Sequence, residues 1–158
     1  MRPCVKERAW LIKHDMLPGL NARAFRHRVI VGEDEKLCQF GAGGAQPCRE
    51  EETLEHFFFL CSGAKTAFME LKRRLSNYGG FGNCEDLSLI LGDVHVPKKR
   101  RKTFFWTLYT FLSWMYETRK GGHLANFESL WNKTKTDSKI VQFCHNGKWM
   151  DDTIFANI

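Results

Sequence analysis

Residues 38–61 read CQFGAGGAQPCREEETLEHFFFLC and bring three thiols and one imidazole, those of Cys38, Cys48, His56 and Cys61, into 24 residues. Four soft donors is the number a closed tetrahedral zinc site takes. Such a site contributes folding free energy outright, so ligand type and count weigh more than spacing. The spacing here is Cys-x9-Cys-x7-His-x4-Cys. The competing reading is four unrelated core residues, because free cysteine is among the most buried residue types and His56 stands beside Phe57, Phe58 and Phe59. Cys84 and the pair Cys144-His145 lack nearby partners in sequence; the first reads as structural or exposed and the pair as structural. The wide first gap leaves open whether Cys38 or another residue is the fourth ligand. A zinc deaminase is excluded, since Arg49-Glu50-Glu51 follows Pro47-Cys48 where a second cysteine would have to stand.

The whole chain has 158 residues, one domain's worth, and a domain of that size buries roughly 70% of its unfolded surface. An apolar fraction of 43%, with 13 Phe and 5 Trp, sets it apart from disordered chains. The net charge of +6 favours polyanionic partners, nucleic acid or an anionic membrane surface, without specifying a fold. Met1 to Arg8 carries no apolar signal-peptide core, so an intracellular, reducing setting is expected. In that setting six cysteines serve a metal more readily than disulfides.

Periodicity predicts an all-α fold, a small helical domain with a zinc-stapled loop and little or no strand. Apolar residues at 5, 9, 12 and 16 give a first helix over Val5–Met16, ended by Pro18-Gly19. Asn21 can cap a second over Ala22–Val29, whose exposed side carries Arg23, Arg26, His27 and Arg28. Thr53–Leu60 reads as a short helix with Glu50-Glu51-Glu52 at the positive end of its dipole, setting His56 and Cys61 about one and a half turns apart. Gly63–Leu75 is amphipathic, with Ser62 as a cap. Asn77–Asn83 breaks the chain before the short apolar run Leu87–Leu91. Thr103–Tyr116, TFFWTLYTFLSWMY, is apolar around most of its circumference and marks a buried helix; its 14 residues fall short of the ~20 that span a membrane. Arg119-Lys120-Gly121-Gly122 ends that helix, Leu124–Thr136 packs on it, and Ile140–Trp149 fits helix and strand equally. Three regions follow: 1–76, a zinc-binding helical part; 77–97, a linker with a short helix; and 98–158, a C-terminal helical part packed on the first.

Two clusters of cations are candidate phosphate contacts, Arg23, Arg26 and Arg28 on the second helix and the run Lys98, Lys99, Arg100, Arg101 and Lys102 after Pro97. The latter also has the form of a nuclear-import signal. The plain alternative for both is a solvated helical face, although cations at a helix N-terminus oppose its dipole. Enzymatic activity is not expected. Asp151-Asp152 has no third carboxylate near it to hold catalytic Mg²⁺, and neither a Gly-rich phosphate cradle nor a Gly-x-Ser-x-Gly elbow occurs.

Two stretches carry a resemblance. Glu51-Glu52-Thr53-Leu54-Glu55-His56-Phe57-Phe58-Phe59-Leu60-Cys61, preceded by Cys48, resembles the zinc-binding domain that follows the polymerase domain in non-LTR retrotransposon polyproteins. Lys6 to Pro18, with Trp10, looks like the tryptophan-containing helix that leads into that family's zinc loop. The family's first cysteine pair is separated by two or three residues. Removing Ala42-Gly43-Gly44-Ala45-Gln46-Pro47 would leave CQFG-C, so the hexapeptide reads as an insertion. The resemblance covers roughly residues 5–75. It implies one structural Zn²⁺ held by Cys38, Cys48, His56 and Cys61, a nucleic-acid partner, and association with a reverse-transcriptase polypeptide; with no groove-reading or stacking motif in the chain, binding of RNA or DNA is expected to be mainly electrostatic and nearly indifferent to sequence. The rival readings are a protein-interaction module that docks through the aromatic helix Phe104–Tyr116, and a non-functional retroelement fragment.

Overall fold

Val5 and Ile12 stand two turns apart on one face of helix α1 (Pro3–Lys13), and both are buried while Lys6, Trp10 and Lys13 face outward. The computed structural model describes residues 3–14, 17, 37, 38, 40, 48–76 and 84–137. The helix expected to reach Met16 stops at Lys13, three residues earlier. The second helix expected over Ala22–Val29, the hexapeptide 42–47 and the segment Ile140–Trp149 lie outside the described residues.

The described residues are mainly helical and contain no sheet; their one β-interaction is an antiparallel bridge between Leu37 and Glu51. After the loop that bears Cys48, the chain makes a π-helical turn (His56–Leu60) and enters α2 (Ser62–Ser76). A short helix, α3 (Asp86–Leu91), ends on Gly92, whose φ of 76° is the left-handed conformation a helix C-cap asks of glycine. Helix α4 (Lys98–Lys120) is the longest, and α5 (Phe127–Lys135) follows a tight turn. Asn126 caps α5 with its side-chain oxygen, accepting from the Ser129 N–H at 3.0 Å.

Helix α4 is the axis on which the others assemble, because it is apolar nearly all round. Phe104, Leu108, Phe111, Leu112 and Met115 are fully buried on it. It packs against α1, α2, α5 and the π-turn. Phe111 meets Phe127 and Trp131 of α5 at ring-centroid distances of 5.6 and 6.4 Å. Arg74 of α2 covers the same pair, 5.0 Å from Phe127 and 5.2 Å from Trp131. On the other side Arg8 of α1 donates to Ser113 at 2.6 Å and pairs with Glu117, while Lys13 lies 5.7 Å over Phe105. Rising numbers on α1 therefore meet falling numbers on α4, and the two helices run antiparallel. No helix among the described residues is long and apolar enough to cross a membrane.

Candidate metal centre

The loop that carries the first two thiols is held shut by backbone hydrogen bonds. The Cys38 N–H donates to the Glu50 carbonyl at 2.8 Å, and the Cys48 N–H donates to the Phe40 carbonyl at 3.1 Å. Nine intervening residues thus do not separate the two cysteines in space. Arg49, directly after Cys48, takes a left-handed φ of 54°, a strained choice for a residue with a Cβ.

The second pair of donors comes from the π-turn. Thr53 Oγ1 accepts from the His56 N–H at 3.0 Å and so starts the turn, as a helix N-cap does. The His56 carbonyl then accepts from the Cys61 N–H at 2.9 Å, a bond spanning five residues. The short helix expected over Thr53–Leu60 is therefore wider than an α-helix. In an α-helix five residues make ~1.4 turns and would point the two side chains apart; the wider turn brings both to one side. The Cys61 carbonyl goes on to accept from the Ala64 and Lys65 N–H groups, tying the fourth donor to the start of α2.

Together these devices bring one ligating atom from each of Cys38, Cys48, His56 and Cys61 within 4.8 Å of one another. Cys38 Sγ lies 3.7 Å from Cys61 Sγ, and Cys48 Sγ lies 3.5 Å from His56 Nε2. A tetrahedron with metal–sulfur bonds of ~2.3 Å and a metal–nitrogen bond of ~2.05 Å has S···S edges of about 3.8 Å and an S···N edge of about 3.6 Å. The two measured pairs match those edges, and the cluster can hold a metal ion. Cys38, Cys61 and His56 are buried and Cys48 half-buried, so the site is closed in the manner of a structural centre.

Burial is the main force on the ionisable groups here. It pushes the Cys38 thiol up to about 12, against the lowering effect of hydrogen bonds from the Phe40 N–H and Arg119; the charges of Glu52 and Cys61 push the same way as burial. Burial first and Arg119 second hold His56 below its ordinary value, partly countered by Glu50. The imidazole is therefore neutral near pH 7, the form that ligates, whereas Cys38 must lose its proton to a metal. Burial also raises Glu52, against the opposing pull of Arg119 and a Cys38 hydrogen bond.

Glu52 and Arg119 are the site residues that sequence reasoning missed. Glu52, read only as one of three carboxylates at the positive end of a helix dipole, is buried, and its Oε1 lies 3.9 Å from Arg119 Nη2. Arg119, read as a last-turn cation of the long helix, is buried with Nη2 3.4 Å from Cys38 Sγ. No motif could have exposed the pair, since 66 residues separate them; only the position of Arg119 on the apolar side of its helix hinted at burial.

Cys84 is not in the cluster and its carbonyl accepts from Lys72 Nζ at 2.7 Å. Lys98, Lys99, Arg100, Arg101 and Lys102 occupy the exposed first turns of α4, with Lys102 Nζ 5.5 Å over Trp106. Arg23, Arg26, Arg28 and the Cys144-His145 pair lie outside the described residues. No family model matches the chain, and neither a curated protein nor a solved structure does.

Proposed function

We propose that this chain is a structural-zinc domain that associates with nucleic acid, of the kind its sequence resembles in retrotransposon reverse transcriptases. The observation that carries the reading is the Cys₃His cluster, whose S···S and S···N separations of 3.7 and 3.5 Å fit a zinc tetrahedron. Three thiolates favour zinc over the hard cations Mg²⁺ and Ca²⁺, which prefer oxygen. With four protein donors and no open position, the ion would shape the fold rather than activate water.

Support for a polyanion partner is the excess of cations and their placement. Five cations fill the first turns of α4, where the helix dipole disfavours them and a phosphate would relieve the repulsion. The same run is the basis for a nuclear setting, and the resemblance names a reverse-transcriptase polypeptide as a further partner. The rival docking helix loses ground to burial: Phe104, Leu108, Phe111, Leu112 and Met115 are fully enclosed, and Trp106 and Trp114 are half-buried.

The test combines metal analysis with a salt titration of the full chain. One zinc per chain is expected, together with retention of single-stranded RNA and duplex DNA at low salt. Neutralising each phosphate-contacting cation among 98–102 should flatten the log–log salt slope by ~0.7–0.9. Stoichiometric zinc with no nucleic-acid retention at any salt would leave a metal-stapled domain and remove the polyanion partner.

A further inference from the structure

Arg119 lies in the last turn of α4, where a cation normally extends into water at the negative end of the helix dipole. Its residue exposure is instead 5%. The guanidinium sits between the rings of Phe40 and Phe57, 5.2 Å from each centroid, with Nη2 3.4 Å from Cys38 Sγ. Among the described residues its Nε and Nη1 have no hydrogen-bond acceptor, and its carboxylate neighbour, Glu52, is 3.9 Å away, beyond hydrogen-bond reach. Removing a cation from water on those terms alone is strongly unfavourable. Something more negative than one distant carboxylate has to face it.

Three thiolates, one neutral imidazole and one divalent ion sum to a charge of −1. We propose that Arg119 is the outer-shell cation of the Cys38–Cys48–His56–Cys61 centre: it neutralises the anionic metal complex and holds Cys38 Sγ by a charge-assisted N–H···S bond. The proposal rests on the metal reading above and adds the far end of α4 to the site. Guanidinium suits the position because it is planar, weakly hydrated and able to stack on aromatic faces, which a compact ammonium does less well.

The surrounding residues are arranged for this role. Phe40 stands two residues after Cys38 and Phe57 directly after His56, so the ligand-bearing chain itself supplies both sides of the clamp. Gly63 lies beneath it: a Cβ there would come 2.8 Å from Arg119 Nη1 and 2.6 Å from Phe40 Cδ2, so only glycine leaves the space. A phosphate cannot be the intended counter-charge, because the side chain has almost no access to solvent. Glu52 acts in the opposite sense, since a carboxylate 3.9 Å from Nη2 competes for the guanidinium and adds negative charge beside an anionic centre. Outer-shell partners of this type orient ligands, and their loss typically weakens metal affinity ~10–100-fold.

The test measures zinc affinity of the full chain by competition with a chromophoric chelator, and reads ligand geometry from the visible spectrum of the Co²⁺-substituted protein. Arg119→Met should bind zinc ~10–100-fold more weakly, still one per chain and still with a tetrahedral cobalt spectrum. Arg119→Lys should recover part of that loss, and Glu52→Gln should bind as tightly as the wild type or more tightly. A loss at Arg119 with none at its buried neighbour Glu52 is the signature, because a merely structural pair would lose affinity from either side. An Arg119→Met protein with wild-type affinity overturns the proposal. If Arg119→Met does not fold even with zinc, Glu52→Gln decides, and weaker binding by that variant also overturns it. A wild-type chain that takes up no zinc instead sinks the underlying metal reading.

Discussion

The middle of α4 and its C-terminal end are held by different physics. Around Phe111 the contacts are aromatic: Phe127, Trp131 and the covering Arg74 are all in ring or cation–π contact. Around Arg119, the buried Nε and Nη1 meet no acceptor among the described residues, and four soft donors converge within 4.8 Å of one another with Nη2 against one of them. One region is an aromatic core, and the other gathers donors that could hold an ion. Stability in the first should follow apolar area, and in the second it should follow metal occupancy.

The most severe way to break that contrast is Cys61→Ser. Loss of one donor from a closed site should cost several kcal/mol, a large part of a domain's total stability. Thermal unfolding with and without a chelator checks it: the variant should melt like the chelated wild type, while Cys84→Ser should keep its metal. A Cys61→Ser protein that retains metal and melting temperature would reduce the cluster to ordinary core.

Phe111→Ala attacks the other region, and removal of a fully buried ring should cost ~3–5 kcal/mol. Here the folded fraction should still carry one metal per chain at wild-type affinity, as measured by denaturant unfolding alongside metal analysis. Weakened metal affinity would show that the two regions are one.

The smallest expected effect sharpens the comparison through pH. Arg73 and Arg74 bond the Glu70 carboxylate from 2.7 and 3.2 Å, and chiefly the Arg73 bond holds it below the ordinary glutamate value. A depressed carboxylate stabilises the fold above its unfolded value and loses that contribution as pH falls through the folded one. Glu70→Gln should therefore cost only a few tenths of a kcal/mol at pH 7, since these are partly exposed helix pairs. The difference from wild type should vanish in acid, well below pH 4, when both are compared by urea unfolding.

Much of this was readable from residue patterns. The enclosed helix was plain in TFFWTLYTFLSWMY, because apolar residues all round a helix leave no face for water. Cys48, His56 and Cys61 were plain because cysteine and histidine in that density have few other uses in a reducing setting, while the wide first gap left the fourth donor open. What was hidden depends on distance along the chain or on backbone detail. The closeness of Cys38 to Cys48 is made by hydrogen bonds from their N–H groups to the Glu50 and Phe40 carbonyls, which spacing does not announce. The burial of Glu52 against Arg119 joins two elements that no local pattern links.

The hydrogen bond from Cys61 to His56 also sets a rule for insertions and deletions. Deleting any one of Phe57, Phe58 or Phe59 would let this segment close as an ordinary α-helix, with one fewer residue between the two donors. Cys61 would then fall four positions after His56, the spacing that sets two residues on one side of an α-helix, so α2, which continues from Cys61, would keep its phase. The loss would be one of volume: Phe57 and Phe58 are buried, and a shortened turn would leave one aromatic place in the core unfilled. The wide turn thus lets the chain carry an extra aromatic side chain between two donors that still face the same way. A lineage could exchange any of them for another large apolar residue far more readily than it could lose one.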